Sequence, residues 1–254
     1  MTEPIQVIKN HLLAALDPQD LEALATNLTH ITLEKGALLY DPGDEVDCIY
    51  FPHDSVISLM TLMRGGEAIE SSTIGREGAL GLRAAITPRR SLSRAIVQVA
   101  GRASRIDAGQ LHQSWEAMPR LRDLVDRHTE ALFGHAIQSV ACNALHSVEA
   151  RFCRWILCCQ DRIDTNRVAL TQEFLADMLG VQRTTVTVVA RTLQASGLIR
   201  YSRGVVDVLD REGLEAISCE CYGVVRDTYE RLLPSPFGDE QADPQPLMRL
   251  GARS

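Results

Sequence analysis

Residues 170–204 read LTQEFLADMLGVQRTTVTVVARTLQASGLIRYSRG, and their spacing decides the C-terminal half of the fold. Thr171 is placed to cap a helix whose apolar face is Leu175, Met178 and Leu179, with the small Ala176 where two helices cross. Gly180 supplies the left-handed residue that ends it. Val181 anchors the turn, and Gln182 caps or precedes a second helix over residues 183–195, buried through Val186, Val189, Ala190 and Leu193. Gly197 ends that helix. Two strand-like runs follow, residues 198–201 and 205–209, joined by Ser202-Arg203-Gly204. Helix, glycine turn, helix and hairpin together predict a winged helix-turn-helix, a module that lays its second helix in the major groove of double-stranded DNA.

Charge agrees locally and disagrees globally. The 254 residues carry a net charge of −7, which would repel DNA. Residues 178–206, however, contain no Asp or Glu and four arginines, Arg183, Arg191, Arg200 and Arg203. A basic window on an acidic chain is what a phosphate contact needs. On the second helix Arg183, Thr184, Thr187 and Val188 lie away from the buried face. Arg183 is the residue expected to grip a guanine edge, and Val188 offers apolar contact to a thymine methyl. Thr171, Gln172, Thr185, Arg200, Tyr201 and Arg203 are expected to position phosphates, with Ser202 beside Arg203 at the wing tip and Gln182 at the helix start. Arg191 is read as a solvated helix face.

Outward from this segment the chain divides into parts. Residues 11–28 have helical leucine spacing interrupted at Asp17-Pro18, which predicts two short helices. Residues 31–106 are β-rich: runs at 31–40, 48–63 and 68–74, then a last hairpin of 95–100 with 103–106 turning at Gly101-Arg102. Residues 120–143 predict one long helix. Leu121, Val125, His128, Leu132, His135, Ser139 and Cys142 recur along it at three and four, a weak heptad seam read as a dimer interface. His128 and His135 sit one heptad apart on that seam. They read as packing, with a pH or metal response at a two-fold axis as the sharper reading.

The order of parts resembles the Crp/Fnr family of bacterial transcription regulators, on the segments CIYFPHDSVISLM (48–60), IGREGALG (74–81), the long helix and residues 170–204. The resemblance implies an α+β fold: an N-terminal β-roll (double-stranded β-helix) of the cyclic-nucleotide-binding type over residues 1–117, a dimerisation helix over 118–143, and a winged helix-turn-helix over 144–233. Residues 234–254 are proline-rich, polar and expected to form a flexible tail. The resemblance further implies a homodimer on a two-fold symmetric operator and contact with RNA polymerase. It departs from the cyclic-nucleotide binders where their phosphate cassette has a glycine–glutamate pair, here Gly81-Leu82, and an arginine before serine or threonine, here near Ser91-Leu92. The polar base contacts of those proteins align near Ala136 and Ile137. The N-terminal cysteines of the iron–sulfur members have no counterpart, since the first cysteine is Cys48. Cyclic-nucleotide binding is therefore not expected, the effector is left open, and no cofactor is assigned. A cyclic-nucleotide or other small-molecule sensor and a thiol-redox regulator stand as alternatives.

The seven cysteines include no paired C-x-x-C motif, so no metal site is expected, and they read as small buried hydrophobes. No catalytic motif of the hydrolase, metalloprotease or nucleotide-binding types occurs, which sets an enzyme aside. Absence of a leader-like N-terminus or an apolar run of spanning length gives a cytoplasmic expectation with no membrane partner.

Overall fold

The computed structural model describes residues 9–87 and 89–237. Two short helices open it, α1 (His11–Ala14) and α2 (Pro18–Ala25), the second with proline at its first turn, where the missing N–H costs nothing. Seven strands follow: β1 (Thr29–Leu33), β2 (Leu38–Tyr40), β3 (Cys48–Pro52), β4 (Val56–Leu62), β5 (Ala68–Ile74), β6 (Arg94–Val99) and β7 (Gly101–Asp107). They form two antiparallel sheets, ordered β1-β7-β3 and β2-β6-β4-β5, closed over a core that includes Ile49, Phe51, Ile57, Val97 and Ile106. Beyond the roll come α3 (Ala108–Ser114), the long α4 (Pro119–Leu145) and α5 (Val148–Gln160). The C-terminal part comprises β8 (Arg167–Ala169), α6 (Gln172–Leu179), α7 (Arg183–Ala195), β9 (Ile199–Ser202), β10 (Val205–Val208), α8 (Arg211–Ile217) and α9 (Cys221–Leu232). No helix among the described residues is long and apolar enough to cross a membrane.

The expected hairpin of β6 and β7 does not form. The two strands are consecutive but lie in different sheets, and Ala100 and Gly101 carry the chain round the corner between them. A Cβ at Gly101 would stand 2.6 Å from the Asp54 carbonyl oxygen, and the Asp54 carboxylate holds the Arg102 guanidinium at 2.6 Å. Alternation of apolar residues marks a strand but not its neighbour, so the pairing was not written in the sequence.

Helix α4 is a second correction. Leu121, Val125, His128, His135, Ser139 and Cys142 are all buried within the protomer, so the predicted seam is spent on the roll and on α9 rather than on a second chain. His128 faces Gly78, where a Cβ would lie 2.2 Å from its ring. His135 meets Tyr229 of α9 edge-on at 6.1 Å between ring centres. Burial keeps both imidazoles neutral, pushing His128 down to about 4 and His135 well below its ordinary value. The outward face of α4 instead carries Phe133, Ile137 and Val140, 67%, 55% and 73% exposed.

The roll and the C-terminal part share one junction. Val56, Met60 and Val99 of the roll pack into the core built by α5 to α8. Arg162, just after α5, is buried against Glu77 of the loop that follows β5 at 2.8 Å and also donates to the Cys158 carbonyl at 2.7 Å. Arg76 donates to the Arg162 carbonyl and pairs with Asp164, which Lys9 also contacts. Glu70 of β5 accepts from the Ser58 hydroxyl at 2.6 Å and from the Trp155 indole of α5 at 3.1 Å. Of the expected tail, Phe237 packs beside Tyr229 and over the Arg162 and Arg226 guanidinium groups; residues 238–254 lie outside the described residues.

Burial pushes the Glu70 carboxyl up to about 7, against the pull of the Ser58 hydroxyl, Arg154 and the Trp155 indole. An unfolded glutamate titrates near 4.5. Between these values the folded chain binds a proton that the unfolded chain has lost, so this group weakens folding as pH rises through the window. Glu70→Gln, neutral at every pH, is expected to gain on the parent between about pH 5 and pH 8 by up to about 3 kcal/mol. Urea unfolding at a series of pH values measures this, and parallel profiles for the two proteins would remove Glu70 as the cause.

Candidate nucleic-acid interface

The helix-turn-helix forms at the positions that the sequence predicts. The Thr171 hydroxyl accepts from the Phe174 N–H at 3.2 Å, capping α6. Gly180 sits at φ 62°, and the Val181 N–H closes the turn onto the Ala176 carbonyl at 3.0 Å. Leu175, Ala176, Met178 and Leu179 on α6 and Val186, Ala190 and Leu193 on α7 are buried together, while Val189 is half-buried. Gln182 occupies the position before α7 with no side-chain capping bond. The turn also touches the roll: a Cβ at Gly180 would lie 3.0 Å from Ile69 of β5.

The wing is a three-stranded sheet, β8-β10-β9, one strand more than expected. Arg203 and Gly204 both have positive φ, 51° and 73°, and Ser202 pairs with Val205. That is a two-residue type I′ hairpin, the turn whose twist matches the strands it joins. It puts the Arg203 side chain at the tip. The wing is tied to the entrance of α6 twice: the Leu170 N–H donates to the Gly204 carbonyl at 2.6 Å, and the Tyr201 hydroxyl to the Leu170 carbonyl at 2.9 Å. Tyr201 therefore holds the wing, and its hydroxyl is already engaged.

Between wing and helices runs an open groove of about 410 Å³, lined by Thr171, Gln172, Glu173, Arg183, Tyr201, Ser202, Arg203 and Gly204. The other predicted residues lie outside its lining. Thr184 and Val188 are exposed on α7, Thr185 and Thr187 are half-buried, and Arg200 is exposed on β9. The Thr187 hydroxyl lies within hydrogen-bond reach of the Gln172 amide oxygen at 2.9 Å and the Arg183 carbonyl at 3.0 Å. One groove residue was absent from the sequence reading. The Arg183 guanidinium is paired with the Glu173 carboxylate at 3.0 Å. The acid-free window is acid-free along the chain only; α6 brings a carboxylate to its centre.

Two further places collect chemistry. A largely apolar pocket of about 370 Å³ lies between roll and α4, lined by residues including Leu59, Leu80, Leu82 and Leu132, with Arg89 and Arg90 at its rim loop. Leu82 is buried, and the Arg90 guanidinium donates to the Gly43 carbonyl at 2.6 Å. At the far end of α4, Cys142 and His146 meet Cys219 and Cys221, with all four ligand-type atoms within 4.8 Å of one another. This group contains no C-x-x-C pair, the spacing on which the sequence expectation of no metal site rests. Its signals were the four-residue step from Cys142 in the last turns of α4 to His146 just beyond it, and the C-x-C of Cys219 and Cys221. Cys153, Cys158 and Cys159 are buried in α5, as expected of small hydrophobes.

Residues 150–217 match the family model of the Crp-like helix-turn-helix domain. No curated protein matches the chain in sequence. Solved structures do. FixK2 of Bradyrhizobium japonicum superposes with a TM-score of 0.64 at 15% identity, over 76% of this chain and 98% of that one. The c-di-GMP responsive global regulator CLP of Xanthomonas campestris gives 0.60 at 16%, over 76% and 99%. A Crp/Fnr-family transcriptional regulator of Thermus thermophilus gives 0.58 at 19%, over 75% and 98%. The chain thus has the fold of the Crp/Fnr regulators, and its residues 150–217 are similar to their helix-turn-helix domain.

Proposed function

We propose that this chain is a sequence-specific transcription regulator of the Crp/Fnr type that binds a two-fold symmetric DNA operator as a homodimer, without cyclic nucleotide. The groove between α7 and the wing carries this reading. It sets the exposed N-terminal turn of α7 and the Arg203 tip on one side of the molecule, as a helix in the major groove with a wing on the adjoining phosphates requires. Arg183 reads a guanine, and Thr184 and Val188 face neighbouring bases. Thr171, Gln172, Thr185, Arg200, Ser202 and Arg203 lie towards the backbone. Arg183 leaves Glu173 on binding. Both side chains are exposed, 62% and 73%, so that pair is a weak competitor for a bidentate contact with guanine. Arg183→Ala is expected to cost about 1–3 kcal/mol on the operator and to relax preference at one base pair. Arg203→Ala should weaken binding to all sequences alike and flatten its salt dependence. Quantitative gel shifts on operator and scrambled duplexes, at several salt concentrations, distinguish the two. An unchanged operator affinity for Arg183→Ala would sink this register of the recognition helix.

The homodimer is assigned to the outward face of α4. Phe133, Ile137 and Val140 follow one another at four and three residues on a helix 27 residues long, roughly 40 Å at 1.5 Å per residue. A second copy of the same helix covers such a stripe with like side chains. Ile137→Glu should turn dimer into monomer in sedimentation velocity and weaken operator binding in parallel. A dimer that survives this change would place the interface elsewhere.

Binding without cyclic nucleotide is supported by Leu82, which lines the pocket of the roll, takes the place of the glutamate in the resemblance and cannot accept from a ribose hydroxyl, and by the Arg90 contact to Gly43. Titration calorimetry with cyclic AMP and cyclic GMP should give no heat; saturable heat with either would reverse this assignment.

A further inference from the structure

The groups gathered at the end of α4 do not belong to the DNA-facing groove or to the pocket of the roll. Cys142 lies in the last turns of α4, and His146 immediately follows the helix. Cys219 lies between α8 and α9, and Cys221 opens α9. Cys142 Sγ is 3.5 Å from Cys219 Sγ, and Cys221 Sγ is 3.4 Å from His146 Nδ1. A tetrahedral zinc ion holds sulfur at about 2.3 Å and imidazole nitrogen at about 2.0–2.1 Å, which sets neighbouring donors about 3.4–3.8 Å apart. Two donor pairs thus already have the spacing of an edge of such a tetrahedron, and all four donors lie within 4.8 Å of one another, close enough to converge on one ion. We propose that Cys142, His146, Cys219 and Cys221 form a Cys3His site for a single zinc ion, which clamps the end of α4 to the α8–α9 corner.

Three features of the surroundings fit an ion better than plain packing. The three cysteines make a small cluster of their own, separate from both main cores, with only the half-buried Ala150 packed against it. A packing role would be served by any small apolar residue, and none requires an imidazole nitrogen among the sulfurs. The second is orientation. His146 Nε2 meets the Glu220 carboxylate at 3.2 Å, which leaves Nδ1 turned towards the thiols, the carboxylate–histidine–metal arrangement of known sites. The Gln138 amide donates to Cys221 Sγ at 3.0 Å. The third is charge. Three thiolates, a neutral imidazole and Zn2+ sum to −1, and Arg154, at the same place, attracts negative charge onto Cys142 and Cys219. A [4Fe–4S] cluster binds each ligand to a different iron and a [2Fe–2S] cluster shares four ligands between two irons; both spread the four donors further apart than a single ion does, so this close group suits one ion.

The full chain, purified under reducing conditions from zinc-supplied cells, should contain one zinc per chain by elemental analysis. Chelation should remove it and lower the thermal midpoint, and zinc should restore it. Replacing it with Co2+ should produce thiolate-to-metal charge-transfer bands and the visible bands of a tetrahedral site. Cys219→Ser and His146→Ala should lower metal content and weaken cobalt binding at least tenfold, while Cys48→Ser, in β3, should leave both unchanged. If a serine variant fails to fold, the chelation and cobalt titrations of the parent decide. Substoichiometric zinc with no tetrahedral cobalt spectrum would overturn the proposal. So would metal retained equally in Cys219→Ser, or a Cys142–Cys219 disulfide whose reduced thiols take up neither ion. None of these readouts uses DNA, so they are independent of the operator-binding reading.

Discussion

The pairing of Arg162 with Glu77 fixes how the two halves of this molecule meet. Both side chains are almost wholly removed from water, at 2% and 0% exposure, and neither is tolerable there alone. A buried pair contributes little net stability, but breaking it by removing one partner costs about 3–5 kcal/mol. Its weight is therefore in placement. It demands that the glycine-rich loop after β5 and the end of α5 come together in one register. Gly75 meets the demand by lacking a Cβ, which would stand 2.4 Å from the Arg162 side chain. The Glu70–Trp155 bond and the shared core around Val56, Met60 and Val99 follow from that registration. The groove between the wing and α7, a few elements further on, inherits its position from it.

The groove is built by short-range rules and then held by long-range ones. Left-handed glycines, a hydroxyl cap and a type I′ turn shape α6, α7 and the wing within a few residues of chain. The bonds from Tyr201 and Gly204 to Leu170 join these pieces into a single rigid face. Preorganisation of this kind reduces what must be ordered when a ligand docks. Arg183 is the exception, since its free-state partner is an exposed carboxylate rather than a backbone group.

How much could be read in advance tracks these same distances. The helix-turn-helix and wing were legible because every rule involved spans fewer than about a dozen residues: leucine and valine periodicity, Gly180, and the Arg203-Gly204 turn. The roll was legible as strands but not as sheets, because Gly101 bends the chain where a hairpin seemed natural. Along α4 the apolar spacing correctly marked a buried face. It could not say that α9, some 80 residues later in the chain, would cover that face and leave Phe133 and Ile137 outward. Charge counted along the chain missed Glu173, which reaches Arg183 across the helix turn. The thiol cluster was hidden for the same reason, its two halves being joined only by the fold. Each miss is a pairing set by the fold rather than by chain spacing, whether across ten residues, as for Glu173 and Arg183, or across about 80, and periodicity and composition do not encode it.

Ile69 of β5 rests on the Gly180 turn so closely that a methyl group there would stand 3.0 Å from the end of its side chain and press it aside. Gly180 is therefore constrained twice, by its left-handed backbone and by a neighbour from the other half of the chain. Residues 69 and 180 are thus one packing site shared by the two halves of the chain, where bulk added to the turn displaces the roll's side chain. A roll of different shape joined to this C-terminal part would have to keep this contact, or the turn on which α7 is mounted would be rebuilt.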